Sequence, residues 1–372
     1  MAVLTVQASG DDVDAAKVRL KRDASVGDLK EKLSSQASHE KQHIFPASHE
    51  KQQIAPDVAT ADKAVDIVEQ TSLFMSLVAC LVWPCICALP LCLTLGGTAY
   101  RSVFPASWYD EVPVQQAIGA YGVANPSSVK PLGLILGLAA VAVGQVAMLT
   151  YHVLRRNSML GGTKRIQPQK RDYNFFEGLK EHLAQPEGFG LLGSYLIGTW
   201  MLGWMPASYY SFAGGINWKH VAIQLLLQDS IQAFMHYGEH KISAWVYKMS
   251  HKPHHRFTNP RVFDAFDGSV TDTICMILVP MVITSRLVPA NVWSYMTFGS
   301  LYANWLVLIH SEYTHPWDGI FRRLGFGTAA DHHVHHRLFV FNYGHLFMYW
   351  DKALGTYRDP KMLGGTHFNK DV

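Results

Sequence analysis

Apolar and polar positions divide this chain sharply. LFMSLVACLVWPCICALPLCLTL (Leu73–Leu95), PLGLILGLAAVAVGQVAMLTYHVL (Pro131–Leu154) and GFGLLGSYLIGTWMLGWMPASYYSF (Gly188–Phe212) contain no Asp, Glu, Lys or Arg. Crossing hydrocarbon as a helix takes about 20 mainly apolar residues, and each run meets that requirement. A fourth helix, Trp218–His236 (WKHVAIQLLLQDSIQAFMH), is less apolar and carries Asp229 inside it. Thr273–Val288 and Val292–Ile309 then read as an apolar hairpin turning at Pro289–Asn291. The first arm is short enough to dip into the bilayer rather than cross it fully. The pattern predicts an all-α fold: a polytopic membrane helical bundle of about four spans plus a hairpin.

The polar stretches set the domain organisation. Residues 1–70 are rich in Lys, Asp and Ser and carry a near-perfect tandem repeat, ASHEKQHIFP (Ala37–Pro46) then ASHEKQQIAP (Ala47–Pro56). Two copies are too few for a solenoid, so the expectation is a disordered cytoplasmic tail. Residues 71–215 hold the first three spans, a basic loop and a surface helix at Asp172–Glu187. Residues 216–372 hold everything else, including most of the unusual chemistry.

Charge adds sidedness. A formal net charge of +3 is too small to argue for nucleic acid. The loop RRNSMLGGTKRIQPQKR (Arg155–Arg171) has six basic residues between the second and third spans, which the positive-inside rule places in the cytosol. Counting spans from there brings His236, Asp267 and His310 to the same cytosolic face. Four of the five cysteines lie in the first span. They read as small residues at helix contacts rather than as a disulfide framework.

Histidine is the residue out of proportion. HYGEHKISAWVYKMSHKPHH holds His236, His240, His251, His254 and His255, and DHHVHH holds His332, His335 and His336. His236 and His240 are one helical turn apart and can reach one metal. H-x-x-H-H occurs twice, at His251–His255 and His332–His336. His310 ends the hairpin as a ninth candidate, with His315, His333 and His345 as weaker ones. So many neutral imidazoles exceed one tetrahedral site and suit two adjacent metals. Asp229, two turns before His236, could orient a ligating ring or could partner Lys219 or Arg286. Spacing leaves zinc and iron both open. A zincin reading fails, because Glu239 in HYGEH sits beside the second histidine rather than the first.

With HxxxH, HxxHH and a late HxxHH, the sequence resembles the fatty acid hydroxylase/sterol desaturase superfamily over about Asp229 to Pro360. YKMSHKPHH (Tyr247–His255) and HHRLFVFNYGHLFMYWDKALGTYRDP (His335–Pro360) are similar to motifs of the sterol C5-desaturases. The resemblance implies a di-iron site on His236, His240, His251, His254, His255, His310, His332, His335 and His336. It implies desaturation or hydroxylation of a lipid with O2 and two electrons, on a sterol-like substrate or else a fatty acyl, sphingoid or ether lipid. Electrons would come from NAD(P)H through cytochrome b5 and its reductase, at the cytosolic face of the endoplasmic reticulum membrane. A metal-binding descendant without catalysis is the competing outcome. Tyr237 replaces the arginine of the family's HRxxH, Asp331 replaces a histidine, and Asp264 stands where a further histidine is expected. Asp264 is therefore a candidate site carboxylate.

Overall fold

The computed structural model describes residues 73–111, 129–161, 165–167 and 174–360. The chain divides into two units, Met1–Asp66 and Ile67–Val372, and all described residues belong to the second. The tandem repeat and part of the basic loop lie outside the described residues. Those described form helices and turns, with three isolated bridges and no strand. All five cysteines are free thiols.

The first apolar run is not one helix. It is Leu73–Cys80, Val82–Ile86 and Ala88–Leu93, joined by turns at Leu81 and Cys87. Pro84 and Pro90 each remove a backbone donor, and their rings crowd the preceding turn. The second run is continuous: α1, Leu132–Arg156, is 25 residues, about 37 Å at helical rise. Asn174 caps α2, Phe175–Leu183, by accepting from the Phe176 N–H. The third run departs from the expected span. A π-helical turn at Pro186–Leu191 leads into α3, Leu192–Met201, which stops before the left-handed Gly203 and Pro206.

Helix α4, Trp218–Lys241, starts at an Asn217 cap. The hairpin arms are α5, Val279–Leu287, entered through Val270–Thr273 and a π-turn at Ile274–Leu278, and α6, Val292–Leu308. Pro280 has no N–H to give the turn before it, which fits a ladder that slips there. Among the described residues, two stretches, Leu132–Arg156 and Val270–Leu287, are long and apolar enough to cross a membrane. Helix α7, Ala329–Leu338, follows a Thr328–Asp331 capping box.

α1 and α6 cross closely at Gly144. A Cβ there would fall on the Ser300 and Asn304 side chains and within 3.1 Å of the Ile86 carbonyl oxygen. Ser300 Oγ donates to Ile86 O at 2.7 Å and to Ala140 O at 3.1 Å. Such a bond between apolar helices contributes about 0.6–2 kcal/mol. One apolar cluster is built on Tyr100, Tyr209, Phe212 and Trp293. A second, on Met148, Phe298, Trp305 and Ile309, runs up to the histidines.

Candidate metal centre

The nine histidines of the three motifs and the hairpin end come together as two groups. His236, His240, His251, His255 and His335 form one; His254, His310, His332 and His336 form the other. Within each group one nitrogen per ring lies within 4.8 Å of every other. The chain delivers them by helix geometry. His236 and His240 sit one turn apart on α4, with ring centroids 5.2 Å apart. In each H-x-x-H-H the i and i+4 rings join one group and the ring between them joins the other. Thus His251 and His255 serve the first group while His254 serves the second. His332 and His336 serve the second while His335 serves the first. Neighbouring residues on a helical turn point about 100° apart, so an adjacent pair of histidines can feed two sites.

The chemistry of these donors fits metal. Nδ1 of His236 donates to Tyr343 O, of His254 to Asp267 O, of His310 to Leu306 O, of His335 to Phe341 O and of His336 to Phe257 O, at 2.7–3.0 Å. A carbonyl only accepts, so each of these Nδ1 atoms carries the ring proton and each Nε2 presents a lone pair. His251 Nδ1 is likewise 2.7 Å from Asp272 Oδ1. Yet Nε2 of His236 faces Nε2 of His251 at 2.8 Å, and Nε2 of His310 faces Nε2 of His254 at 3.3 Å. Lone pairs opposed at that distance repel unless a cation lies among them. Burial first, and neighbouring imidazoles second, hold His255, His332, His335 and His336 well below the ordinary imidazole range. The rings are therefore neutral, as ligation requires.

Carboxylates shape this centre from outside. Asp229 touches no ligand ring, and neither Lys219 nor Arg286 is its partner. Its oxygens accept the N–H groups of His345, Leu346 and Phe347 at 2.6–3.2 Å. Asp351 accepts those of Tyr343 and Gly344 at 2.8 and 2.7 Å. Two carboxylates thus hold five consecutive amides of the loop whose Tyr343 carbonyl orients His236. A Cβ on Gly344 would meet the Phe347 carbonyl and Asp351 Oδ2, which explains the glycine.

Asp264 lies elsewhere than expected. It joins neither group of rings; it accepts the Arg261 N–H at 3.0 Å and pairs with the Arg261 guanidinium at 2.7 Å. Asp331 closes the α7 capping box and faces Arg322. Tyr237 packs against the Tyr343 ring. His315 hydrogen-bonds Tyr151 and stacks on Trp317, while His333 is held by Gln167 and Ser311. His345 packs against His236 and His332, with centroids 5.0 and 5.1 Å away. Asp272, which orients His251, escaped sequence reasoning. Its signal was an acid abutting the apolar run of the hairpin. Glu239 Oε2 also lies 3.8 Å from His251 Nδ1.

The bundle also holds an apolar cavity of about 540 Å³, within the roughly 300–1,000 Å³ usual for ligand pockets. α1, α3 and α6 supply most of its wall, including Leu138, Val146, Trp200, Phe298 and Leu306. Leu138, Val146 and Leu183 are exposed, so it opens on the flank of the bundle. The Leu306 carbonyl also receives His310 Nδ1, so the wall and the second group share one helical turn.

Among the described residues, an all-helical bundle with paired groups of buried histidines and an apolar cavity has the makings of a lipid-handling metalloenzyme. The fatty acid hydroxylase family profile matches residues 221–356. An alternative squalene epoxidase of Phaeodactylum tricornutum is 54% identical over 297 residues, 78% of this chain and 82% of that protein. A cholesterol 25-hydroxylase-like protein of Danio rerio is 31% identical over 159 residues, 41% of this chain and 62% of the relative. A Delta(7)-sterol 5(6)-desaturase of Leptosphaeria maculans is 34% identical over 128 residues, 34% of this chain and 33% of the relative. No solved structure matches. The chain belongs to the fatty acid hydroxylase/sterol desaturase superfamily and is an oxidoreductase of lipid metabolism.

Proposed function

We propose that this chain is a di-iron squalene epoxidase, embedded in the endoplasmic reticulum membrane with its histidines facing the cytosol. The overall change is alkene plus O2, two electrons and two protons to epoxide plus water. NAD(P)H supplies the electrons through cytochrome b5 and its reductase. The observation that carries this reading is the reach of the Phaeodactylum match. A match over 78% of the chain necessarily takes in α1 and α3, two of the three helices that supply most of the cavity wall, whereas the sterol 5(6)-desaturase match covers 34%. The sterol expected from the C-terminal signature thereby gives way to a linear triterpene hydrocarbon.

Two irons, held by the nine histidines, would supply the two-electron activation of O2. The protein's part is binding, orientation and exclusion of water. Leu306, Phe298 and Trp200 give a hydrocarbon an apolar wall and no charge to desolvate. A chain without polar groups is placed by shape alone, which suits a lateral opening onto lipid. The backbone carbonyls on Nδ1 fix each ring's tautomer and aim, and Asp272 does the same for His251. The test is turnover in lipid nanodiscs with ferrous iron, NADH, cytochrome b5, its reductase, squalene and ¹⁸O2. Squalene epoxide carrying one ¹⁸O is expected. A desaturated or hydroxylated sterol with no epoxide would sink the substrate assignment. Zinc by elemental analysis of the purified protein, with no coupled pair in the Mössbauer spectrum of an iron-57 preparation, would sink the di-iron one.

A further inference from the structure

One polar side chain on the cavity wall is not explained by a hydrocarbon substrate. His182, on α2, lines the cavity and is only 1% exposed. Its ring lies among Phe189, Phe263 and Phe266, with centroids 5.1–6.0 Å away. Nδ1 faces the Phe263 carbonyl at 3.3 Å, so Nδ1 carries the proton and Nε2 is left as an acceptor. Nε2 is buried without a hydrogen-bond partner. Gln185 Nε2 donates to the same carbonyl at 3.2 Å, and its buried Oε1 also has no partner. Two side chains that share the Phe263 carbonyl thus each keep one buried acceptor without a donor. On the same wall, Thr199 Oγ1 donates to Tyr195 O at 2.8 Å and the Tyr302 hydroxyl to Gln232, while Gln145 and Tyr295 line it as well.

We propose that the cavity also binds a lipid alcohol, whose hydroxyl donates to His182 Nε2. A hydrocarbon offers no such donor, and an epoxide oxygen only accepts, so both leave that nitrogen unsatisfied. A buried acceptor without a partner is costly, and a hydroxyl on an otherwise apolar skeleton relieves it. The alcohol occupies the volume assigned to the hydrocarbon, so the two compete. The group it recognises is common to sterols and to long isoprenoid alcohols.

The test is equilibrium binding to the full chain in nanodiscs, read by displacement of tritiated squalene. Cholestanol is compared with cholestanone, and geranylgeraniol with geranylgeranial, because each ketone or aldehyde keeps the skeleton and loses the donor. At least one alcohol should displace squalene about 10-fold more tightly than its carbonyl partner, the value of one buried hydrogen bond. The pair showing that ratio identifies the skeleton. His182→Phe should erase the ratio, each alcohol being compared with its own carbonyl partner in the same variant. Equal displacement by alcohol and carbonyl in both pairs overturns the proposal, as does a ratio that survives His182→Phe. If the variant does not fold, the wild-type ratios decide. Binding is read without turnover, so failure of epoxidation leaves this result standing, and the reverse holds as well.

Discussion

Asp272 offers the most direct way to test how the centre is held. Its Oδ1 is 2.7 Å from His251 Nδ1, and both side chains are buried. A hydrogen bond to a charged group is worth about 1.5–3 kcal/mol, and loss of such an outer partner costs about 10–100-fold in metal affinity. Asp272→Ala should therefore weaken iron binding by about that factor, read as the dissociation constant from chelator competition. Asp272→Asn keeps an acceptor and loses the charge, so its loss should be nearer 5-fold, about 1 kcal/mol. Glu239 Oε2 waits 3.8 Å from the same nitrogen and can move in. Adding Glu239→Gln to Asp272→Asn should then deepen the loss to that of the alanine variant. Asp264→Asn is the control: its carboxylate pairs with Arg261 rather than with a ligand, and iron affinity should not move. Unchanged iron affinity in Asp272→Ala, or an equal fall in Asp264→Asn, would refute the assignment of the orienting acid.

Other expectations are simpler. His335→Ala and His254→Ala cut one ligand from different groups; each should abolish turnover while membrane insertion stays intact, measured by epoxide formation and carbonate extraction. Full activity in either purified, iron-loaded variant would be decisive against the site. Asp229→Ala strands three buried amides and should cost about 3 kcal/mol or more, seen as a lower melting temperature in detergent before any effect on the isolated metal step. Gly144→Leu forces a side chain between α1 and Ser300 and should lower the melting temperature by more than Gly144→Ala, whose overpacking costs about 1–3 kcal/mol.

Much of this was readable from the chain, in proportion to how local the cause was. HxxxH on a helix fixes a shared face, so the gathering of nine histidines follows from motif spacing and the order of the helices. The pairing of the i and i+4 rings in each H-x-x-H-H follows from spacing as well. Which pair joins His236 and His240, and which joins His310, is set by how the elements pack and is not legible there. The breaks in the first apolar run were marked by Pro84 and Pro90, but hydropathy averages over them. Asp264 was drawn toward the site by likeness to a family motif; Arg261, three residues earlier, was the local clue that it serves an ion pair. Asp229 stands out in the sequence as an acid inside a helix, but its partners are amides more than a hundred residues later, beyond any local reading.

The loop at Tyr343–Phe347 has a consequence for how the protein is made. Its amides are claimed by Asp229 from upstream and Asp351 from downstream. His236 cannot take up its final aim until both are present, since Tyr343 O is what holds it. During synthesis, the early helices can enter the bilayer while the histidines of α4 remain unaligned. A metal held by these rings would therefore find its ligands fully aimed only after the ribosome has passed residue 351.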